Sequence, residues 1–278
     1  MLYSRDMATI KFWGTRGSIA TPLPDRMKYG GDTSCVEIVT HEGLEIIMDA
    51  GTGMRRLGQV IMGRKKSCKG GALFLSHLHW DHIQGFPFFI PIYDPHFKFQ
   101  IYGPMRVDQT LEYRLKKQMS DLFFPVVLEE VSAKLEFIEI VEEPIQLGQT
   151  TVIPRFQNHP QGSYGYRIED AGKVITYMTD NEHPAAEVLE DTRVLASNAD
   201  ALIFDAQYTP EEYEKHRGWG HSTWLTATKI ARECGVKRLV LFHHDPDHND
   251  DFIDGVVALA REQFPETIAA SRDLEIQL

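Results

Sequence analysis

Between His77 and His82 the chain places three imidazoles and one carboxylate: His77, His79, Asp81 and His82, inside the stretch LFLSHLHWDHIQG. Imidazole nitrogens and carboxylate oxygens are good ligands for zinc and for neighbouring first-row divalent metals. On extended or turning backbone His77 and His79 point the same way, because side chains alternate with a period of two. Asp81 and His82 then fall on the following turn and can face a second position a short distance away. One loop can therefore seed two metal sites. Such a density of titratable groups straight after an apolar run is costly without a cation, so a plain solvated turn is the weaker reading.

The elements around this loop must deliver it and bring further ligands to it. The run Ala72–Leu75 reads as a buried strand that ends at the cluster. Upstream, Thr9–Trp13 reads as a strand running into the turn Gly14–Ser18. That turn is either a plain connection or a site-lining loop whose amides could meet an anion. Strands are expected over Ser34–Thr40 and Leu44–Met48, joined at Glu42-Gly43, with a helix over Met54–Met62. Asp49 then reads as a turn or supporting carboxylate. After the cluster, Phe86–Pro91 is an apolar segment that packs under a loop, walls the site or meets a subunit. A strand over Lys98–Tyr102, a helix over Val107–Met119, an irregular stretch Leu122–Leu128 and strands at Leu135–Ile140 and Thr150–Phe156 follow. Four later strands each run into a chemical group: His159 after Thr151–Phe156, Asp180 after Lys173–Met178, Asp205 after Ala201–Phe204, and His243 with His244 after Leu239–Phe242. His221 lies at the start of an amphipathic helix expected to be capped by Ser222. His183 reads as a surface or helix-start residue, and Asp247 and His248 as exposed loop.

Composition narrows the partners. The 278 residues carry a net charge of -11, with 42% hydrophobic and 25% charged residues, which suits a soluble globular chain read as one domain over 1–278. An acidic chain does not favour non-specific nucleic-acid binding, which depends on phosphate neutralisation. The basic runs Arg55, Arg56, Arg64, Lys65, Lys66, Lys69 and Arg114, Lys116, Lys117 read as solvated faces. Cys35, Cys68 and Cys234 form no disulfide framework, residues 1–7 read as a loose end without a leader-like apolar segment, and no run is long enough for a membrane span. A cytoplasmic setting is the simplest expectation.

The motif His77-x-His79-x-Asp81-His82 resembles the signature of the metallo-β-lactamase superfamily. His159 followed by the Gly165-Tyr166 strand, Asp180, and Gly220-His221-Ser222-Thr223 with the run Gly235–His243 resemble the ribonuclease Z-like phosphodiesterase branch. That resemblance implies an α/β fold: an αββα four-layer sandwich of two mixed sheets with helices outside, and a variable, pocket-shaping segment at 86–135. It implies one metal on His77, His79, His159 and Asp180 and another on Asp81, His82, Asp180 and His243, with Asp180 bridging. The cofactor would be two divalent ions, zinc first, with manganese or iron as alternatives, sharing a hydroxide. Asp205 would orient His221, and His221 would serve the scissile phosphate. Either Asp81 or His221 would protonate the leaving oxygen, and His244 would be a further substrate contact.

The chain also departs from that branch. The long tRNA-gripping insertion between the ligands matching His159 and Asp180 is absent, since these residues are 21 apart (180 − 159). A compact phosphodiester, such as a cyclic or short nucleotide, therefore fits better than tRNA 3′ processing. A lactone, thioester or carboxyl ester hydrolase is the alternative enzyme, and a non-enzymatic metal-dependent binder the alternative class. A homodimer is an expected assembly, with Phe86–Ile90 as one candidate patch.

Overall fold

Short apolar runs broken by glycine, proline and asparagine build a strand-rich chain. A computed structural model describes residues 7–64, 70–183 and 188–278. Its first half contains strands β1 (Thr9–Gly14), β2 (Cys35–Val39), β3 (Glu45–Met48), β4 (Gly70–Phe74), β5 (Lys98–Pro104) and β6 (Lys134–Ile140). Its second half contains β7 (Ile145–Leu147), β8 (Thr150–Gln157), β9 (Ser163–Asp170), β10 (Lys173–Met178), β11 (Ala201–Asp205), β12 (Leu239–Phe242), β13 (Thr267–Ala269) and β14 (Glu275–Gln277). The helices are α1 (Gly53–Gly63), α2 (Trp80–Ile83), α3 (Leu111–Gln118), α4 (Glu190–Ala196), α5 (Pro210–Tyr213), α6 (Trp224–Glu233) and α7 (Asp250–Gln263). One sheet runs β14-β1-β2-β3-β4-β5-β6 and the other β13-β12-β11-β10-β9-β8-β7, each mixing parallel and antiparallel pairs.

The two sheets pack face to face. Ile10, Phe12, Ile38, Met48 and Phe74 from the first meet Tyr166, Ile175, Tyr177, Ile203 and Phe242 from the second, all with at most 0% exposure. The outer face of the first sheet is covered by α1, α3 and the Phe86–Tyr93 turns, through Met54, Leu57, Phe86, Phe89 and Leu111. The outer face of the second is covered by α4, α6 and α7, through Leu195, Ala227, Ile230, Ile253 and Val257. Strands buried on both faces read as continuous apolar runs, which is why β4, β11 and β12 stand out in the sequence. The layers are those of the expected αββα sandwich.

Register puts the functional strand ends at one edge. Met178 of β10 is level with Phe204 of β11, and Phe204 is level with Leu241 of β12. Asp180, Asp205 and His243 therefore leave neighbouring strands together. On the facing sheet Met48 is level with Phe74, so Asp49 and the cluster loop leave together as well. Three bonds hold the two edges in line: the Tyr166 hydroxyl to the Leu75 carbonyl (2.6 Å), the Tyr164 amide to the Ser76 carbonyl (2.9 Å), and the Tyr177 hydroxyl to Asp49 Oδ2 (2.8 Å).

Several expectations need correction. The helix over Val107–Met119 is only Leu111–Gln118, because Thr110 caps it by accepting the Tyr113 amide. The cap of α6 is Thr223, whose hydroxyl accepts the Thr226 amide, while Ser222 donates instead to the Asn181 carbonyl. Within Phe86–Ile90, Phe86 and Phe89 are core residues, and Phe88 and Ile90 are exposed. Arg64 is no solvated charge: its guanidinium pairs with Glu37 and Glu45. Arg56 pairs with Asp273 at 2.9 Å. Cys35 and Cys234 are free and buried. Lys65, Lys66, Cys68, Lys69 and residues 1–6 of the loose end read at 1–7 lie outside the described residues. Among the described residues no helix is long and apolar enough to cross a membrane.

Arg16, in the Gly14–Ser18 turn, is fully buried. It donates from Nε to the Gly30 carbonyl (2.8 Å) and from Nη1 to the carbonyls of Asp245 (3.0 Å) and His248 (2.7 Å). Burial lowers its pKa to about 10, and Asp250, 3.9 Å away, partly offsets that. One side chain thus ties the first loop to the loop that follows His243. Arg16→Met would remove the donor to the Gly30 and His248 carbonyls and one of the two donors to the Asp245 carbonyl, and we expect a loss of about 3–5 kcal/mol in urea unfolding. A loss under about 1 kcal/mol would show that the arginine does not pin these loops.

Candidate metal centre

The cluster loop begins directly beyond β4. His79 is the N-cap of α2, with extended backbone, so Asp81 and His82 start the helix facing away from solvent. Asp49, Asp180 and His243 all adopt left-handed backbone (φ 59°, 51° and 61°), a conformation costly for residues other than glycine. Each ends its strand abruptly at the same edge. The strain is concentrated where the chain must turn a side chain into the site.

Two nests of donor atoms result. His77, His79 and His159 form one, and Asp81, His82, Asp180 and His243 form the other, with each set of donor atoms lying within 4.8 Å. His79 Nδ1 is 3.2 Å from His159 Nε2. In the second nest His82 Nε2 and His243 Nε2 are 3.2 Å apart, and each is 3.2 Å from both Asp81 Oδ2 and Asp180 Oδ2. Two ligands on a tetrahedral zinc lie roughly 3.3 Å apart, given metal–ligand distances near 2.0–2.1 Å. Asp180 joins the nests: its Oδ2 faces His82 and His243, and its Oδ1 lies 3.8 Å from His77 Nε2 and 3.9 Å from His159 Nε2.

The donors fit a divalent cation. His77 Nε2 is buried without any hydrogen-bond partner among the described residues, although it points at the Asp180 carboxylate. A buried nitrogen left bare in this way is costly unless something binds it. Burial lowers the pKa of His77 and His159, keeping them neutral and ready to ligate. Burial opposes charge on Asp180 and Asp81 too. The surrounding imidazoles outweigh it and hold both carboxyls well below the usual range.

Each ring is fixed from behind. Ser76 Oγ contacts His77 Nδ1 at 3.0 Å, and Asp49 Oδ2 accepts from His82 Nδ1 at 2.8 Å while its other bonds go to Ser76 and Tyr177. The Gly220 carbonyl holds His159 Nδ1 (2.9 Å), Gln207 Oε1 holds His243 Nδ1 (2.9 Å), and Gln161 Oε1 meets His79 Nε2 (3.2 Å). Such partners select the tautomer and raise ligand basicity. The Gly14–Ser18 turn does line the site: the Ser18 amide donates to Asp81 Oδ2 (2.7 Å). Gly17 must lack a side chain, because a Cβ there would lie 2.4 Å from the His243 ring.

His221 and Asp205 sit beside Asp180. Asp205 Oδ2 accepts from His221 Nδ1 at 2.8 Å, and the His221 ring stacks on His243 with centroids 5.0 Å apart. Burial lowers the His221 pKa, but the charge and hydrogen bond of Asp205 prevail and push it up to about 9. Asp205, His221, Asp180 and His243 are also close enough to form a third donor set. The oxygens of Asp205 are already engaged, however, by the amides of Asp180, Gln207 and Ser222 as well as by His221. Asp205 is better suited to holding His221 than to ligating a cation.

Three histidine expectations change. His244 Nε2 hydrogen-bonds the Ala270 carbonyl (2.9 Å) and its ring packs edge-on against Tyr29, so it is a buried brace and the substrate-contact reading is not supported. His183 is buried, bonded to Thr192 and ahead of α4 rather than at its start. His248 is buried and pairs with Glu212 at 2.8 Å, while Asp247 is exposed as expected.

Glu182 was not foreseen. Its buried carboxylate accepts from the Gly218 amide (2.8 Å), the Gly220 amide (3.0 Å) and the Tyr213 hydroxyl (2.8 Å), and its own amide donates to the Asn158 carbonyl (2.7 Å). It therefore fixes, through its amide, the residue whose carbonyl holds His159. Its only sequence signal was its place two residues after Asp180. In a metal titration against a competing chelator, Glu182→Ala should weaken binding by about 10–100-fold, and Glu182→Gln, which keeps an acceptor oxygen, by less. Equal affinity in the alanine variant would remove Glu182 from the support of this site.

The sequence and the fold are similar to those of known proteins. Over 266 residues the chain is 24% identical to a ribonuclease Z from Oceanobacillus iheyensis, covering 77% of this chain and 83% of that protein. Its fold is similar to that of the metallo-β-lactamase fold protein YhfI from Bacillus subtilis, with a TM-score of 0.72 at 19% identity over 98% of this chain and 100% of the other. It is similar as well to a diphosphatase from the PhnP family, with a TM-score of 0.70 at 19% identity over 98% and 97%. Residues 45–244 match the family described as Beta-lactamase superfamily domain, well over half of the sequence, and the chain belongs to that superfamily.

Proposed function

We propose that this protein is a metal-dependent phosphodiesterase whose two divalent cations share Asp180, and that its substrate is compact, of nucleotide size. His77, His79, His159 and Asp180 would hold one cation, and Asp81, His82, Asp180 and His243 the other. When bound, the pair supplies Lewis acidity and activates water near neutral pH. The metal is zinc on this reading, with manganese and iron also compatible with the donors.

The Asp205–His221 pair carries the choice of phosphodiester. A histidine fixed through Nδ1 by a carboxylate, 3.9 Å from Asp180 Oδ1, can present Nε2 to a substrate lying over the metal nests. The neighbouring carboxylate favours the imidazolium, which can donate to a phosphoryl oxygen or to the leaving oxygen. Asp81 is the poorer donor, because its Oδ2 accepts from Ser18 and faces two imidazoles. We therefore assign leaving-group protonation to His221 and a ligand role to Asp81. The name ribonuclease Z among the relatives supports phosphodiester chemistry, and the diphosphatase among the fold neighbours supports a small substrate. Between His159 and Asp180 there is room only for the β9–β10 hairpin, turned at Ala171-Gly172, and for no gripping arm.

Metal-loaded protein should hydrolyse bis-p-nitrophenyl phosphate in preference to a panel of lactones, thioesters and carboxyl esters. His221→Ala should keep its metal and lose about 10²–10⁴ in kcat. Turnover of lactones or thioesters without turnover of diesters would replace the phosphodiesterase reading. An unchanged kcat in the His221 variant would remove His221 from the chemistry.

A further inference from the structure

A cleft of about 270 Å³ opens beside the metal nests, and one of its walls is His77 and His79 themselves. Arg106 and Arg114 line it as well, and Pro104 and Pro160 give it apolar surface. None of these four residues is needed to hold a cation. Two guanidiniums thus line one cleft in a chain of net charge -11. Arg114 is largely buried, and burial lowers its pKa, opposed by the charge of Glu139 and reinforced by that of Arg106.

Both arginines are anchored, each with donors to spare. Arg114 donates from Nη2 to the Pro104 carbonyl (2.5 Å) and from Nε to the Thr110 carbonyl (3.3 Å), and Glu139 lies 3.6 Å away. Arg106 donates from Nη2 to the Gln161 carbonyl (3.0 Å), and the Gln161 side chain meets His79. The exposed guanidinium is thus tied to the same residue that steadies a metal-ligand candidate. Asp108 also lines the cleft and offsets part of the charge. A guanidinium offers five donors in a fixed plane that matches phosphate oxygens.

We infer that this cleft binds a second phosphate of the substrate, so that the preferred substrate is a nucleotide diester carrying a further phosphate on its sugar. The inference rests on the phosphodiesterase reading. The scissile group lies over the metal nests, the sugar crosses Pro104 and Pro160, and the second phosphate meets Arg106 and Arg114. Two phosphate charges against two guanidiniums is the arrangement that the cleft's residues favour over a single carboxylate. A cleft of this volume takes one end of a small substrate and is smaller than a typical whole-ligand site.

The test compares two chromogenic diesters: the p-nitrophenyl ester of thymidylate, and the same ester phosphorylated on its remaining sugar hydroxyl. The wild type should prefer the doubly phosphorylated ester, chiefly through a lower KM. Arg106→Ala should cut that preference by about tenfold, and Arg106→Lys, which keeps the charge, should recover part of it. The ratio between the two substrates cancels any disturbance of His79 through Gln161. Calorimetry with thymidine bisphosphate against thymidine monophosphate gives a readout that needs no turnover, and the bisphosphate advantage should shrink in the alanine variant. Equal kcat/KM for the two esters in the wild type, or an undiminished preference in Arg106→Ala, would overturn the inference. Failure to cleave either ester would instead overturn the phosphodiesterase reading, with calorimetry still deciding whether the cleft binds the second phosphate.

Discussion

Asp180 has two oxygens, and each looks into a different nest of imidazole nitrogens. This carboxylate is the constraint on which the remainder of the site depends. It is buried, as are Asp81, His77, His82, His159 and His243 around it. So many polar groups removed from water need a common partner, because burying charge without compensation costs several kcal/mol per group. A pair of cations would satisfy the donors at once, and a shared anion would offset the repulsion between two such ions. The bare nitrogen of His77 is the local sign of that requirement.

The scaffold meets the requirement by alignment rather than by any single element. The parallel pairs β10–β11–β12 bring Asp180, Asp205 and His243 out at one level, and cross-sheet bonds from Tyr164, Tyr166 and Tyr177 hold the cluster loop opposite them. Left-handed backbone at Asp49, Asp180 and His243 then turns the chain sharply at the edge. Strain of this kind persists only where the surroundings over-determine it. Arg16, Glu182 and Gln207 provide that surrounding, each by joining segments far apart in the chain.

Much of this was legible in the residues. Buried strands such as Leu239–Phe242 declare themselves as apolar runs, and the His77–His82 loop declares its chemistry by density. His159, Asp180 and His243 carry little local signal, and only their resemblance to a known series made them candidates. The supporting groups were hidden for a physical reason. Gln207, Glu182 and Arg16 have ordinary sequence surroundings, and their importance comes from partners supplied by other loops. The same cause explains the errors. His183 and His248 look like surface residues beside loop-forming neighbours, yet Thr192 and Glu212 enclose them. His244 sits next to a ligand candidate, but alternation along the chain sends it to Ala270 instead. The cap of α6 was misplaced by one residue because Ser222 and Thr223 are equally good caps in sequence, and only the Asn181 carbonyl distinguishes them.

Anomalous X-ray scattering from crystals of the natively loaded protein addresses the shared carboxylate most directly. The account predicts two metal peaks on either side of Asp180, one bordered by His77, His79 and His159 and the other by Asp81, His82 and His243. A single peak, or peaks that leave Asp180 outside both coordination shells, would contradict it.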